Sequence, residues 1–309
     1  MDTIKDSETV DLIQLVKTKI VEDIHIWQAQ YKFSDTQDYC LIISASDMHA
    51  RAVTKTLWLA ETDLQQNADL FLNQTIEDFL VEIGKKFDGP LQSCRVEWMT
   101  NSQTTTWSQF KGSLKNFKRN YYRAGIAFAG IREPWLLFTE MELNANASLY
   151  KGGDTSHAQV NKTNFERYFK RRHGSSQIPN YTPDLAMQTF NTAGWYFDAR
   201  TNECWDLNTQ SRNKGRRQLG SLQPQLTLSI ITQSSQYLAQ QVQDFGEYIY
   251  GYFPCFDRKI DFYNNLRHAS STYALLEGFE ICRDKTTISA DALAVLKIRI
   301  DQALTYLKD

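Results

Sequence analysis

No apolar run in this 309-residue sequence approaches the roughly 20 residues that a helix needs to cross a bilayer. Its opening segment, Met1-Asp2-Thr3-Ile4-Lys5-Asp6, has neither a basic leader nor an apolar signal core. Both absences make the cytoplasm the expected location. Cysteine is scarce and scattered: Cys40, Cys94, Cys204, Cys255 and Cys282 are odd in number and include no C-x-x-C pair. Such spacing speaks against a disulfide framework or a structural zinc, and fits small buried hydrophobes. An excess of one charge is missing too. With 34 basic and 36 acidic residues the net charge is −2, so no whole-molecule field draws in polyanions, which argues against general nucleic-acid binding. The phosphate loop, the dinucleotide glycine fingerprint, the H-E-x-x-H zinc motif and the G-x-S-x-G nucleophile elbow are all absent. The sequence therefore assigns no cofactor and no metal ligands, and leaves open whether the protein is an enzyme.

What is present is the composition of a globular protein, 42% hydrophobic and 13% aromatic, in a chain long enough for more than one core. Val10, Ile13, Val16, Ile20, Ile24 and Trp27 recur every three or four positions and predict an amphipathic helix over residues 9–31. Residues 39–45 are β-rich and continuously apolar, which predicts a buried strand, with a second over 52–59. Helical spacing returns over 68–87 and stops at Gly89-Pro90. A strand over 94–99, a helix to about residue 117 and a hairpin of 121–128 with 135–140 follow. A short basic helix is expected over 164–172, then short strands at 188–190, 194–197 and 204–207 as a small meander. Beyond residue 223 the texture turns helical, over 225–245, 265–283 and a final helix capped by Ser289. The expected organisation is thus an α+β domain over 1–150, mixed short strands and basic loops over 151–222, and a helical segment over 223–309. That last helix carries Leu293, Leu296, Ile300, Leu304 and Leu307 on one stripe, which needs cover from the α+β domain, from another subunit or from a continuing chain.

Three constellations carry candidate chemistry. Asn264 or Asn265 is a natural N-cap, which places Arg267, His268 and Ser270 in the first turns of a helix, beside free amides and the positive dipole end. A guanidinium there suits a carboxylate or phosphate, with Tyr263, Asn264 and Ser271 as further ligand contacts and His268 as a candidate proton carrier. The structural alternative buries Arg267 and His268 as ties to Asp257 or Asp261. In the second constellation Glu140, Glu142, Asn144 and Asn146 alternate, so on a strand they share a face and serve as paired carboxylates, whereas in a helix they disperse and cap. The third is a set of basic clusters: Lys118-Arg119 with Tyr121-Tyr122-Arg123, Lys170-Arg171-Arg172-His173, and Lys214-Gly215-Arg216-Arg217. As a set they line a groove for an acidic or phosphorylated polymer, Arg216 and Arg217 among its contacts, or else are solvated charges.

Tyr263-Asn264-Asn265-Leu266-Arg267-His268-Ala269, followed by Tyr273-Ala274-Leu275-Leu276-Glu277, resembles the first helix of six-hairpin, α/α-toroid proteins, a superfamily with many carbohydrate-active enzymes. The resemblance covers residues 256–283 and implies the opening of an incomplete toroid. It implies a protein that acts on or binds a carbohydrate or other anionic polymer, with the N-terminal part of a larger glycan-processing enzyme as one form of that expectation. An acidic sugar or polymer is then the expected ligand, with Glu140, Glu142 and His268 as candidate catalytic groups. The rival expectation is a non-catalytic interaction module that docks a protein partner, or a missing C-terminal domain, through its terminal helices.

Overall fold

The computed structural model describes residues 12–20, 38–60, 74–119, 121–129, 135–153, 155–207, 209 and 213–308. They form an α+β protein that divides into two compact units, Met1–Gln218 and Leu219–Asp309.

The first unit begins with helical residues 12–20, here α1, which lie inside the predicted 9–31 helix. The remainder of that helix lies outside the described residues. Next come strands β1 (Asp38–Ser46) and β2 (Val53–Ala60), helical residues 74–84 (α2), strand β3 (Ser93–Thr106) and helix α3 (Trp107–Ser113). Strands β4 (Gly125–Phe128) and β5 (Leu136–Phe138) form the expected antiparallel pair, though residues 121–124 are not strand. Helices α4 (Glu140–Ala145) and α5 (Lys162–His173), then strands β6 (Ala186–Asp198) and β7 (Glu203–Asp206), complete the unit.

All seven strands join one antiparallel sheet in the order β2-β1-β3-β6-β4-β5, with β7 paired to the second half of β6. Instead of separate short strands at 188–190 and 194–197, the chain runs straight through as β6, paired with β3 almost end to end. Gly194, expected at the start of a strand, lies inside β6. In the sheet it is a point of close approach, where an added Cβ would lie 2.0 Å from the Val96 carbonyl oxygen.

Alternation on β1 sends Leu41, Ile43 and Ala45 into one core and Cys40 and Ile42 into another, so this strand is buried on both faces as its apolar run predicts. Leu12 and Val16 of α1 and Ile76, Leu80 and Ile83 of α2 complete the first of these cores. A third core gathers aromatic rings from α3, β4, β5 and α5. Phe138 lies 5.3 Å from Phe165 and 5.2 Å from Phe169 between ring centroids, and burial of each such ring contributes about 1.5–3 kcal/mol.

The second unit consists of α6 (Pro224–Gln240), a two-stranded ribbon of β8 (Tyr252–Phe253) and β9 (Arg258–Lys259), α7 (Asn265–Asp284) and α8 (Ala290–Tyr306). Pro224 stands in the first turn of α6, where its missing N–H costs nothing, and Ser289 caps α8 by accepting from the Ala292 N–H at 3.2 Å. Leu275, Leu296, Ile300 and Ala303 form its core with Ala239, Val242 and Tyr248. Gly278 lets α6 and α7 approach closely, since a Cβ there would stand 2.0 Å from Ser235 Oγ. Leu296 and Ile300 of the predicted apolar stripe are buried, while Leu307 is exposed, as are Val295 and Ile298 beside it. No helix among the described residues is long and apolar enough to cross a membrane.

Candidate ligand-binding site

The start of α7 is organised by its cap. Asn264 Oδ1 accepts from the Arg267 backbone N–H at 3.0 Å, which fixes the first turn and its rotation about the helix axis. On that turn Arg267 and His268 are neighbours in sequence and point in different directions. Arg267 stays at the surface with its guanidinium over the Tyr250 ring, 5.1 Å from the centroid. Neither Asp257 nor Asp261 pairs with it, and Asp257 accepts instead from the Tyr252 hydroxyl.

His268 is buried and bonded at both nitrogens. Its Nε2 lies 2.8 Å from the Ala303 carbonyl oxygen, which accepts only, so the ring proton sits on Nε2. Nδ1 therefore accepts, and its donor is the Tyr263 hydroxyl at 2.5 Å. That hydroxyl in turn accepts from the Tyr248 N–H at 2.9 Å. Burial raises the Tyr263 phenol above its ordinary range, which keeps the proton this relay needs. The chain of bonds ties the connector, the start of α7 and the last turns of α8 into one network. His268 thus has no free nitrogen to offer a substrate.

Beside this network lies a cavity of about 310 Å³. Tyr263, Arg267, His268 and Ser271, which sequence spacing grouped as a site, all line it. Asn264 serves as the cap behind them. The remaining walls include residues that sequence did not single out: Tyr237 of α6, Gln241 at its C-cap, Tyr248 and Tyr250 of the connector, and Tyr252 of β8. For Tyr248, Tyr250 and Tyr252 the signal was the aromatic density of residues 245–263, which does not say which rings share a cavity, and nothing in the sequence singled out Tyr237 or Gln241. Five tyrosines and one guanidinium surround the space, and no carboxylate lines it among the described residues.

The acidic constellation takes its helical form. Thr139 and Glu142 make a capping box: Thr139 Oγ1 accepts from the Glu142 N–H at 3.2 Å, and Glu142 Oε2 accepts from the Thr139 N–H at 2.8 Å. Glu142 Oε1 also takes the Tyr168 hydroxyl at 2.6 Å and Arg172 Nε at 3.0 Å. Glu140 accepts from Arg123 Nη1 at 2.9 Å, from Arg216 Nη1 at 2.9 Å and from the Asn144 amide. Each carboxylate is therefore enclosed by its own set of donors, and the two do not share a face. Arg217 lies over the Trp205 ring at 4.2 Å, and Trp205 stacks on Tyr196 with centroids 5.3 Å apart. Glu140, Glu142, Arg216 and Arg217 all belong to the first unit, and Tyr263, Asn264, Arg267, His268 and Ser271 to the second. Set beside known proteins, the chain matches no family model, no curated protein sequence and no solved structure.

Proposed function

We propose that the second unit binds an acidic saccharide in the tyrosine-lined cavity, with Arg267 meeting the carboxylate of a sugar acid and the tyrosine faces packing against its C–H groups. One observation carries this reading: five tyrosines and a single guanidinium, with no opposing carboxylate among the described residues, around a space at the small end of ligand pockets. Aromatic faces accept the apolar flank of a sugar ring, and phenol hydroxyls supply directional hydrogen bonds at its rim. A guanidinium already laid over Tyr250 is partly immobilised, so less freedom is lost when it pairs with an anion. The resemblance of residues 256–283 to a six-hairpin helix points the same way. Because both nitrogens of His268 are engaged, the reading is one of binding, without a proton carrier in the cavity.

The test is a calorimetric titration of the full chain with a glucuronate-containing disaccharide. Arg267→Ala is expected to weaken binding by about tenfold or more, and Arg267→Lys to restore part of it. Equal affinity of parent and Arg267→Ala would remove the assignment.

A second reading has its own observation. Of sixteen large hydrophobic side chains exposed among the described residues, thirteen belong to the second unit, among them Phe262, Leu266, Tyr273 and Ile298. That concentration favours a protein partner for the helical unit. Light scattering across a concentration series separates self-association from a site for another protein.

A further inference from the structure

Two of the three basic clusters come together in the first unit. Lys118, Tyr121 and Arg123, from the segment after α3, share the lining of a cavity of about 760 Å³ with Lys214, from the loop after β7, and with Asn191 of β6. The third cluster is elsewhere engaged, since Arg172 holds Glu142 and His173 donates to the Leu137 carbonyl.

Gathering like charges is unfavourable unless something holds them. Here the holding group is Glu140, whose side chain is nine-tenths buried. It takes Arg123 from one segment and Arg216 from the other, each at 2.9 Å, and so pins the two basic loops side by side. Lys118 and Lys214 have no carboxylate partner among the described residues. Lys214 Nζ donates to Asn191 Oδ1 at 3.0 Å, which aims it along the cavity wall. No acidic side chain lines the space among the described residues.

The aromatic side of the cavity is equally specific. Tyr122 is buried, edge-on to Phe110 and Phe117, and anchors the segment. Its neighbour Tyr121 is 57% exposed, one of only three large hydrophobics left exposed among the described residues of this unit. The Arg123 guanidinium lies 5.3 Å from the Tyr121 ring centroid. A planar ring laid against this pair meets a tyrosine face and a cation together, while Lys118 and Lys214 stand ready for several negative charges.

We propose that this cavity is a second binding site, for an aromatic ring carrying phosphate groups, a nucleoside diphosphate or triphosphate by chemical class. Lys118 and Lys214 meet the phosphates as point charges, and Tyr121 with Arg123 stacks on the base. The volume is in the range of pockets that enclose a molecule of this size. Glu140 is a positioning residue: it touches no ligand and fixes the spacing of the cations. This site is independent of the saccharide reading, which concerns a cavity in the other unit.

The experiment uses the full chain and ADP carrying a fluorescent N-methylanthraniloyl group, with inorganic pyrophosphate and adenosine as competitors. Saturable binding is expected, displaced by pyrophosphate and only at about tenfold higher concentration by adenosine. Lys118→Ala with Lys214→Ala should lower affinity about tenfold or more. Lys118→Ala alone, at an exposed position where the fold is not at stake, should still lower it about threefold. Tyr121→Ala should weaken the labelled nucleotide and leave pyrophosphate unchanged, and Arg267→Ala should change neither. The proposal is overturned if no saturation is reached by about millimolar probe. It is equally overturned if Lys118→Ala binds as the parent does, or if adenosine competes as well as pyrophosphate.

Discussion

Among the described residues of the first unit five carboxylates are buried. Glu97, Glu140, Glu142 and Asp198 are each held by arginine, and Asp47 accepts from the backbone N–H groups of His49 and Ala50. Among the described residues of the second unit the buried polar groups are three hydroxyls, Thr232, Ser235 and Thr272, and the imidazole of His268. Their partners are other hydroxyls and backbone carbonyls. Exposed apolar groups divide the other way, three against thirteen. A sheet lined by two or three cores has places where a charged side chain must pass through the interior, and each such charge needs a counter-charge. Three packed helices in a unit of this size enclose less, so their interior is satisfied by neutral hydrogen bonds and more apolar surface remains outside. The two units should therefore fail in different ways when one partner is removed.

The largest expected effect falls in the first unit. Glu142→Ala leaves the buried Arg172 charge without its carboxylate, and Arg172 Nε and the Tyr168 hydroxyl without their acceptor, and should cost about 3–5 kcal/mol. Urea denaturation followed by tryptophan fluorescence measures it, because all seven tryptophans lie within residues 1–218. In the second unit the matching change is Tyr263→Phe, which strands His268 Nδ1 and the Tyr248 N–H and should cost about 1–3 kcal/mol by far-ultraviolet circular dichroism. A larger loss from Tyr263→Phe than from Glu142→Ala would break the comparison.

Acid should sharpen it. Burial, with the Arg172 charge beside it, lowers the pKa of His173 to about 4, below its ordinary 6.5. Between those values the unfolded chain binds a proton that the folded first unit does not. Stability contributed by neutral His173 is thus complete above about pH 6.5 and is lost as pH falls toward 4, at up to roughly 1.4 kcal/mol per pH unit. His173→Asn should flatten this part of the stability curve, and a curve unchanged by the substitution would count against the burial of the ring. The smallest effect is expected at the surface of the second unit, where Ile298→Lys should leave stability within about 0.5 kcal/mol. A loss several times larger would mean that Ile298 is covered in solution.

How far the sequence could be read follows the same division. Helices whose signals are local were legible: the apolar spacing of α1 and α8, the Asn264 and Ser289 caps, and the β4–β5 hairpin. The T-E-M-E start of α4 holds a capping box that the sequence reading did not single out, and in the structure it decides between the two forms open to Glu140 and Glu142. What escaped was decided by distant partners. The continuity of β6 across residues 191–193 escaped because it rests on pairing with β3, about a hundred residues away in sequence. Arg216 looked like a ligand contact because nothing near it in the chain announces Glu140 as its acceptor. In the second unit the cap at Asn264 marked the start of α7 as a site in the sequence, whereas Tyr237 of α6 and Gln241 at its C-cap line the same cavity from elsewhere in the chain.

The proposed saccharide site is tested most directly by comparing two ligands of the same size on the unaltered chain, a glucuronate-containing disaccharide and its neutral glucose counterpart, by isothermal calorimetry. If Arg267 and the five tyrosines act together, the acidic sugar binds saturably and more tightly than the neutral one by about tenfold, with the difference shrinking as salt is raised. Indistinguishable heats from the two sugars, or none from either, would contradict the account.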